Sequence, residues 1–186
     1  MKLARATILA ALLCPPAPCA ADQKFAVDKA RSSVEVGVRA MIDSVTARFT
    51  DFDADLSVPG GNIGGVSGQV HFVLANLKTG DDERDAQMYN WLQEGSFPNG
   101  DLSIASLAPD GRGNFAASGR LKFHGTEGAA SFPVKIKLEQ GILTVEGDTS
   151  LDTRDYGLPI YRRFLILTVD PVVHVRFRVT GRLPPQ

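Results

Sequence analysis

Apolar side chains recur at every second position through most of this chain. Val34, Val36 and Val38 alternate with Glu35, Gly37 and Arg39, and Phe52, Ala54, Leu56 and Val58 with Asp53, Asp55 and Ser57. The same beat runs through Val70, Phe72 and Leu74; Leu121 and Phe123; Val134, Ile136 and Leu138; and Val173, Val175, Phe177 and Val179. A period of two gives each segment one apolar face and one wet face, which is the pattern of antiparallel strands lying on a core. Pro59-Gly60-Gly61-Asn62, Asn99-Gly100-Asp101, Pro109-Asp110-Gly111 and Gln140-Gly141 supply turn residues between the runs. The pattern predicts strands over 33–40, 45–58, 66–76, 101–107, 113–124, 130–139, 142–151 and 172–182.

Strands of this kind, without a matching set of amphipathic helices, must hide their edges in a closed barrel or a two-sheet sandwich. Several runs reach ten residues, about 33 Å of strand. That length favours an all-β, elongated antiparallel barrel of about eight strands. A barrel of this size either fills its interior with side chains or holds a ligand. The period breaks once, over Asp81–Glu94, where Met88, Trp91 and Leu92 take helical spacing behind an acidic start. This predicts one short helix between strands, with Gly95 as its stop and Trp91 packed on a barrel end.

The first 21 residues read differently. Lys2 and Arg5 precede an apolar run from Ala6 to Leu13, a proline-rich stretch and Cys19-Ala20-Ala21. This is the shape of a secretory signal peptide cut after Ala21, its apolar run being too short to span a bilayer. Residues 22–186 then form the mature domain, exported to the periplasm by the bacterial style of the leader. Cys14 and Cys19 are the chain's two cysteines, so the mature part holds none and depends on its core rather than on disulfides. With 20 basic against 21 acidic residues there is no basic excess to attract nucleic acid.

Catalytic and metal-binding patterns are thin. The absence of thiols from the mature part removes cysteine catalysis and zinc–thiolate sites. His71, His124 and His174 are far apart in sequence, and His71 and His174 share the outward phase of their strands. Arg84-Asp85 and Arg154-Asp155 read as solvated caps or ion pairs, with closure of a barrel end or a polar head group as the functional alternative. The aromatic set, including Phe49, Phe52, Phe72, Trp91, Phe97, Phe115, Phe123, Phe132 and Phe177, gives bulk to an apolar interior. Such an interior gains about 0.8 kcal/mol per CH₂ group it buries, enough to hold a long chain without polar contacts.

Several short elements occur in an order that resembles the YceI-like proteins: Phe25-Ala26-Val27-Asp28 with Ser33-Val34; Ala47-Arg48-Phe49 with Asp51-Phe52-Asp53; Thr79 to Asp85; Gly95-Ser96-Phe97-Pro98; Gly119 to Gly125; and Arg154-Asp155-Tyr156-Gly157-Leu158. The resemblance spans roughly 25–182. It implies an exported lipocalin-like barrel whose interior binds a polyisoprenoid or related lipid, with no other cofactor. The expected ligand-binding residues are Val36, Val38, Phe72, Leu74, Leu121, Phe123, Val134, Ile136, Val145 and Phe177 along the tunnel, with Trp91 and Phe97 at one mouth. The expected role is sequestration or carriage of an isoprenoid, such as a quinone-type lipid, by a protein that is not an enzyme and that could pair as a homodimer. Two alternatives stand beside it: a protein-binding barrel with a packed core, and a lipid-modifying enzyme using Asp85, Asp155 or His124.

Overall fold

Eight antiparallel strands close into a ring in the computed structural model, which describes residues 22–39, 44–59, 62–163 and 167–182. The expected leader at 1–21, the expected strand end at Ala40 and the expected turn residues Gly60-Gly61 lie outside the described residues. In chain order the elements are β1 (Asp22–Val27), β2 (Ser33–Arg39), β3 (Ser44–Phe49), β4 (Asp53–Pro59), β5 (Ser67–Val73), β6 (Leu77–Lys78), α1 (Asp82–Trp91) and β7 (Asn99–Pro109). They continue with β8 (Phe115–Phe123), β9 (Thr126–Glu139), β10 (Ile142–Asp152), β11 (Arg162–Arg163), β12 (Leu167–Thr168) and β13 (Val172–Arg182). The ring runs β1-β4-β5-β7-β8-β9-β10-β13 and closes where Ala26 and Val27 of β1 pair with Arg182 and Gly181 of β13.

β2, β3 and β6 extend this ring at one end. β2 lies beside β13 from His174↔Gly37 to Arg178↔Ser33, β3 beside β2, and β6 beside β3. β1 and β2 are thus two halves of one interrupted strand along β13, separated by a 3-10 turn at Lys29–Arg31. At the interruption Asp28 N donates to Thr180 O at 2.8 Å, and Ser32 Oγ accepts from Thr180 N at 3.0 Å, so side chain replaces ladder. β3 and β4 likewise divide the single strand expected over 45–58.

Other boundaries depart from the sequence pattern. Asn99-Gly100 is not a turn but the start of β7, because Phe72 on β5 lays its ring over Gly100 where a Cβ would collide with it. β9 begins at Thr126 rather than near 130, since His124 and Gly125 take left-handed angles (φ 48° and 73°) and turn the chain at once. The strand expected over 66–76 ends at Val73, and a 3-10 turn takes Leu74–Asn76. The helix stops at Leu92 with Gln93 left-handed (φ 51°), so Gln93 and not Gly95 ends it. β1 and the small β11–β12 hairpin carry too short a pattern to stand out. No helix among the described residues is long and apolar enough to cross a membrane.

The wet faces are laced by cross-strand ion pairs, including Arg178–Glu146 at 3.1 Å and Arg176–Asp148 at 3.3 Å. The apolar faces meet inside in two clusters. One, at the end of the β7–β8 and β9–β10 hairpins, joins Phe25, Leu56, Val58, Leu107, Val134 and Leu143. The other, at the helix end, joins Leu74, Phe123 and Leu92 with Tyr156 and Leu158 from the long β10–β13 connection.

Candidate functional site

The inner wall of the ring is almost wholly apolar. Strand register turns inward Val34, Val36 and Val38 on β2, Val70 and Phe72 on β5, Leu121 and Phe123 on β8, and Val173, Val175, Phe177 and Val179 on β13. On β9 and β10 the same face carries Phe132, Val134, Ile136, Val145 and Leu151. Among the described strand positions, the polar residues in this phase are Thr126, Thr149 and Gln23, the last in register with Val58, and no carboxylate or basic residue joins them.

Side-chain size varies along the axis. Bulky residues crowd both ends, whereas Val36, Val38, Val70, Val175, Gly119 and Ala130 lie in the zone between and belong to neither cluster. Phe132 and Phe177 meet edge to face, with centroids 5.7 Å apart, on the hairpin side of this zone. Phe177 lies over Gly147, its partner across β10–β13, where any Cβ would strike the ring. The aromatic group therefore lies along the wall. Val36, Val38, Val70 and Val175 face into the ring and remain half-buried, so they keep accessible surface.

The expected ligand residues fall into three groups. Val134, Ile136, Val145 and Phe177 belong to the hairpin-end cluster, and Phe72, Leu74, Trp91, Leu121 and Phe123 to the helix-end cluster. Val36 and Val38 line the zone between them. Phe97 stands apart on the loop after α1 and packs against His124, centroid to centroid at 4.2 Å. Leu138, which continues the inward run of β9, is 53% exposed at the strand end. Sequence reasoning passed over Tyr156 as an interior residue. Its Tyr-Gly-Leu setting has no strand period, and it arrives by a 3-10 turn capped by left-handed Gly157 (φ 76°).

α1 covers the helix end. Asp81 caps it by accepting from Arg84 N at 2.9 Å, and Trp91 Nε1 donates to Pro159 O at 2.8 Å. Asp85 is 4% exposed and turns back to accept from Thr79 N at 2.8 Å and Thr79 Oγ1 at 2.7 Å, with Lys78 Nζ 3.8 Å away. Burial works to raise its carboxyl, but the Thr79 hydrogen bonds and the Lys78 charge prevail and hold it below the usual range. Asp152 accepts from the backbone and side chain of Arg154, which hold its carboxyl at about 2. Arg154 therefore pairs with Asp152, not with its neighbour Asp155.

The three titratable candidates do not act on one another. Asp85 serves Thr79 and Lys78, His124 Nδ1 lies 3.0 Å from Tyr156 O, and Asp155 is exposed on the turn. His71 points outward to Asp101 at 2.7 Å, and His174 is exposed beside Ser150. Among the described residues no three His, Asp or Glu side chains converge in a metal-holding group. Two clefts mark the outer wall, one of about 190 Å³ beside the β1–β13 closure and one of about 380 Å³ over β1, β4 and β5. None of the expected ligand residues lines either cleft.

Comparison with known proteins places this geometry. The YceI-like domain family matches residues 25–181. The crystal structure of BcnA from Burkholderia cenocepacia superposes with a TM-score of 0.74 at 20% identity, covering 83% of this chain and 98% of that one. A polyisoprenoid binding domain from Saccharophagus degradans, implicated in plant cell wall breakdown, gives a TM-score of 0.66 at 16% identity over 86% and 98% of the two chains. The YceI protein of Campylobacter jejuni gives 0.65 at 11% identity over 78% and 88%. At these identities the likeness carries the fold. No curated protein matches the sequence.

Proposed function

The chain belongs to the YceI-like family, and from that premise we propose that it is an exported carrier that holds a polyisoprenoid lipid, of the isoprenoid-quinone type, inside its barrel. The observation that carries this reading is the apolar zone between the two clusters, where inward valines keep accessible surface. A branched hydrocarbon chain threaded there gains about 0.8 kcal/mol for each CH₂ it buries. Four or five isoprene units would reach micromolar affinity after the cost of ordering the chain. The likeness to a polyisoprenoid binding domain supports the ligand class. The residues proposed to touch the chain are Val36, Val38, Phe72, Leu121, Phe123, Val134, Ile136, Val145 and Phe177, with Leu74, Trp91 and Phe97 shaping the helix end. We read the protein as a binding protein rather than an enzyme, because Asp85 is held by Thr79 and Lys78 and His124 is held only at Nδ1, by the Tyr156 carbonyl, with no carboxylate among the described residues beside it to form an acid–base pair.

The decisive experiment is extraction of the purified domain 22–186 into organic solvent and mass spectrometry of the extract. The chain's single tryptophan, Trp91, gives a second readout on titration with a prenyl lipid. A prenyl lipid in the extract, or saturable quenching of Trp91, supports the reading. A clean extract together with no uptake of added lipid overturns it. On this reading residues 1–21 are a cleaved leader that delivers the protein to the periplasm, and an exported product whose N-terminus is Asp22 would support it.

A further inference from the structure

The wall of the barrel is not evenly laced. β9 and β10 pair from Ile142↔Glu139 to Gly147↔Val134 and then part, although β9 continues down to Thr126 beside β8 and β10 continues up to Asp152 beside β13. The parting begins at Pro133, which has no N–H to offer a ladder. Beyond it, every second residue of β9 turns its backbone N–H and C=O toward the gap rather than toward β8.

Tyr156 fills this parting. Its ring packs edge-on to Phe123, with centroids 5.7 Å apart, and the residue is 4% exposed. Its hydroxyl lies over Gly128 of β9, and a Cβ at that position would stand 3.0 Å from the oxygen. Gly128 sits between the rung of Phe123 with Thr126 and the rung of Gly119 with Ala130, which places the hydroxyl where the helix-end cluster gives way to the small inward residues Gly119 and Ala130. That oxygen makes no hydrogen bond among the described residues. Nor is it sealed in: among the described residues, the buried side-chain polar atoms without partners are Ser57 Oγ, His124 Nε2 and Thr180 Oγ1. A phenol buried to this degree ordinarily has a partner for its O–H. Here the oxygen touches open space instead, in a cluster that is otherwise apolar.

We propose that the Tyr156 hydroxyl is the hydrogen-bonding group that reads the polar head of the chain ligand, a carbonyl or hydroxyl oxygen brought to the β9–β10 parting with its hydrocarbon in the lumen. This rests on the lipid-binding reading and sharpens it, since the apolar wall alone does not distinguish a prenyl alcohol from a hydrocarbon of the same length. A site with a buried polar group left unpaired by the wrong ligand discriminates against that ligand.

The test compares geranylgeraniol with the saturated C20 hydrocarbon phytane, by Trp91 quenching, on the wild-type protein and on Tyr156→Phe. Phe keeps the ring on Phe123 and over Gly128 and removes the oxygen alone. The wild type is expected to prefer the alcohol by about tenfold, and Tyr156→Phe to abolish that preference while binding phytane as before. Gly128→Ala, which pushes a methyl group against the oxygen, is expected to reduce the preference with the phenol retained. An alcohol-to-hydrocarbon ratio unchanged in Tyr156→Phe overturns this inference while leaving the carrier reading intact. Failure of the wild type to bind either compound overturns both.

Discussion

Phe177 brings the tip of its ring over Gly147, its cross-strand neighbour, and occupies the space that any side chain at 147 would need. A methyl group there must push the ring off the wall and into the lumen. Gly147→Ala is therefore expected to lower stability by about 1–3 kcal/mol, the range for overpacked cores. Urea unfolding at unchanged slope reads this directly. Phe177→Leu in the same chain should restore part of the loss, because the two changes share one space. Stability of Gly147→Ala within 0.5 kcal/mol or so of wild type would show that the ring is free to leave.

Val36 faces the zone that neither cluster fills. Val36→Trp is expected to fold with near wild-type stability, since the indole enters existing space, and to lose prenyl-lipid binding by more than about tenfold. A packed interior predicts the reverse, a loss of roughly 1–3 kcal/mol from overpacking. Thermal unfolding and lipid titration of the one variant separate these outcomes.

Asp85 holds the start of α1 to the strand before it through Thr79. Asp85→Ala leaves Thr79 N and Oγ1 without their buried acceptor and should cost about 2–3 kcal/mol. Asp85→Asn keeps an acceptor oxygen and should cost less. Because the folded carboxyl lies below its usual range, its contribution is complete above the unfolded value and fades as pH falls through the folded one. The wild-type advantage over Asp85→Asn should therefore shrink in acid, as followed by chemical denaturation at a series of pH values.

Asp152 offers the same logic at the surface. The Arg154 side chain and backbone hold its carboxyl at about 2, against an ordinary value of 3.8. Its stabilising effect is present above pH 4 or so and is lost as pH falls toward 2. Circular dichroism across this window should show the wild type converging on Asp152→Asn, and added salt should narrow the difference above pH 4. A gap between the two proteins that stays constant from pH 5 to 2 would rule this out.

The alternation of β2, β8, β9 and β13 was legible because one face is wet along its whole length, as His174, Arg176 and Arg178 show. What escaped the sequence was local. Asn99-Gly100 reads as a turn until Phe72 is seen lying over it, a contact between strands that no window of a single strand contains. The split of 45–58 into β3 and β4 has no breaker at Thr50 or Asp51 to announce it. At the site, the strand residues followed from phase. Tyr156 did not, because a 3-10 turn brings it in from a connection with no period. The contact that holds Phe97 was not legible either, because its partner His124 is a turn residue whose left-handed angle is invisible in sequence.

The ring is sealed by its first strand meeting its last, Ala26 and Val27 against Arg182 and Gly181. That closure has a kinetic consequence. The hairpins β7–β8, β8–β9 and β9–β10 can form as soon as each is available, but the seam joins residues some 150 positions apart and must wait for the whole chain. Until then β1 and β13 each present an unmatched edge to any other strand nearby. Folding should thus show a fast phase from the hairpins and a slow, late one at the seam, with Ala26 and Gly181 among the last amides to gain protection from hydrogen exchange.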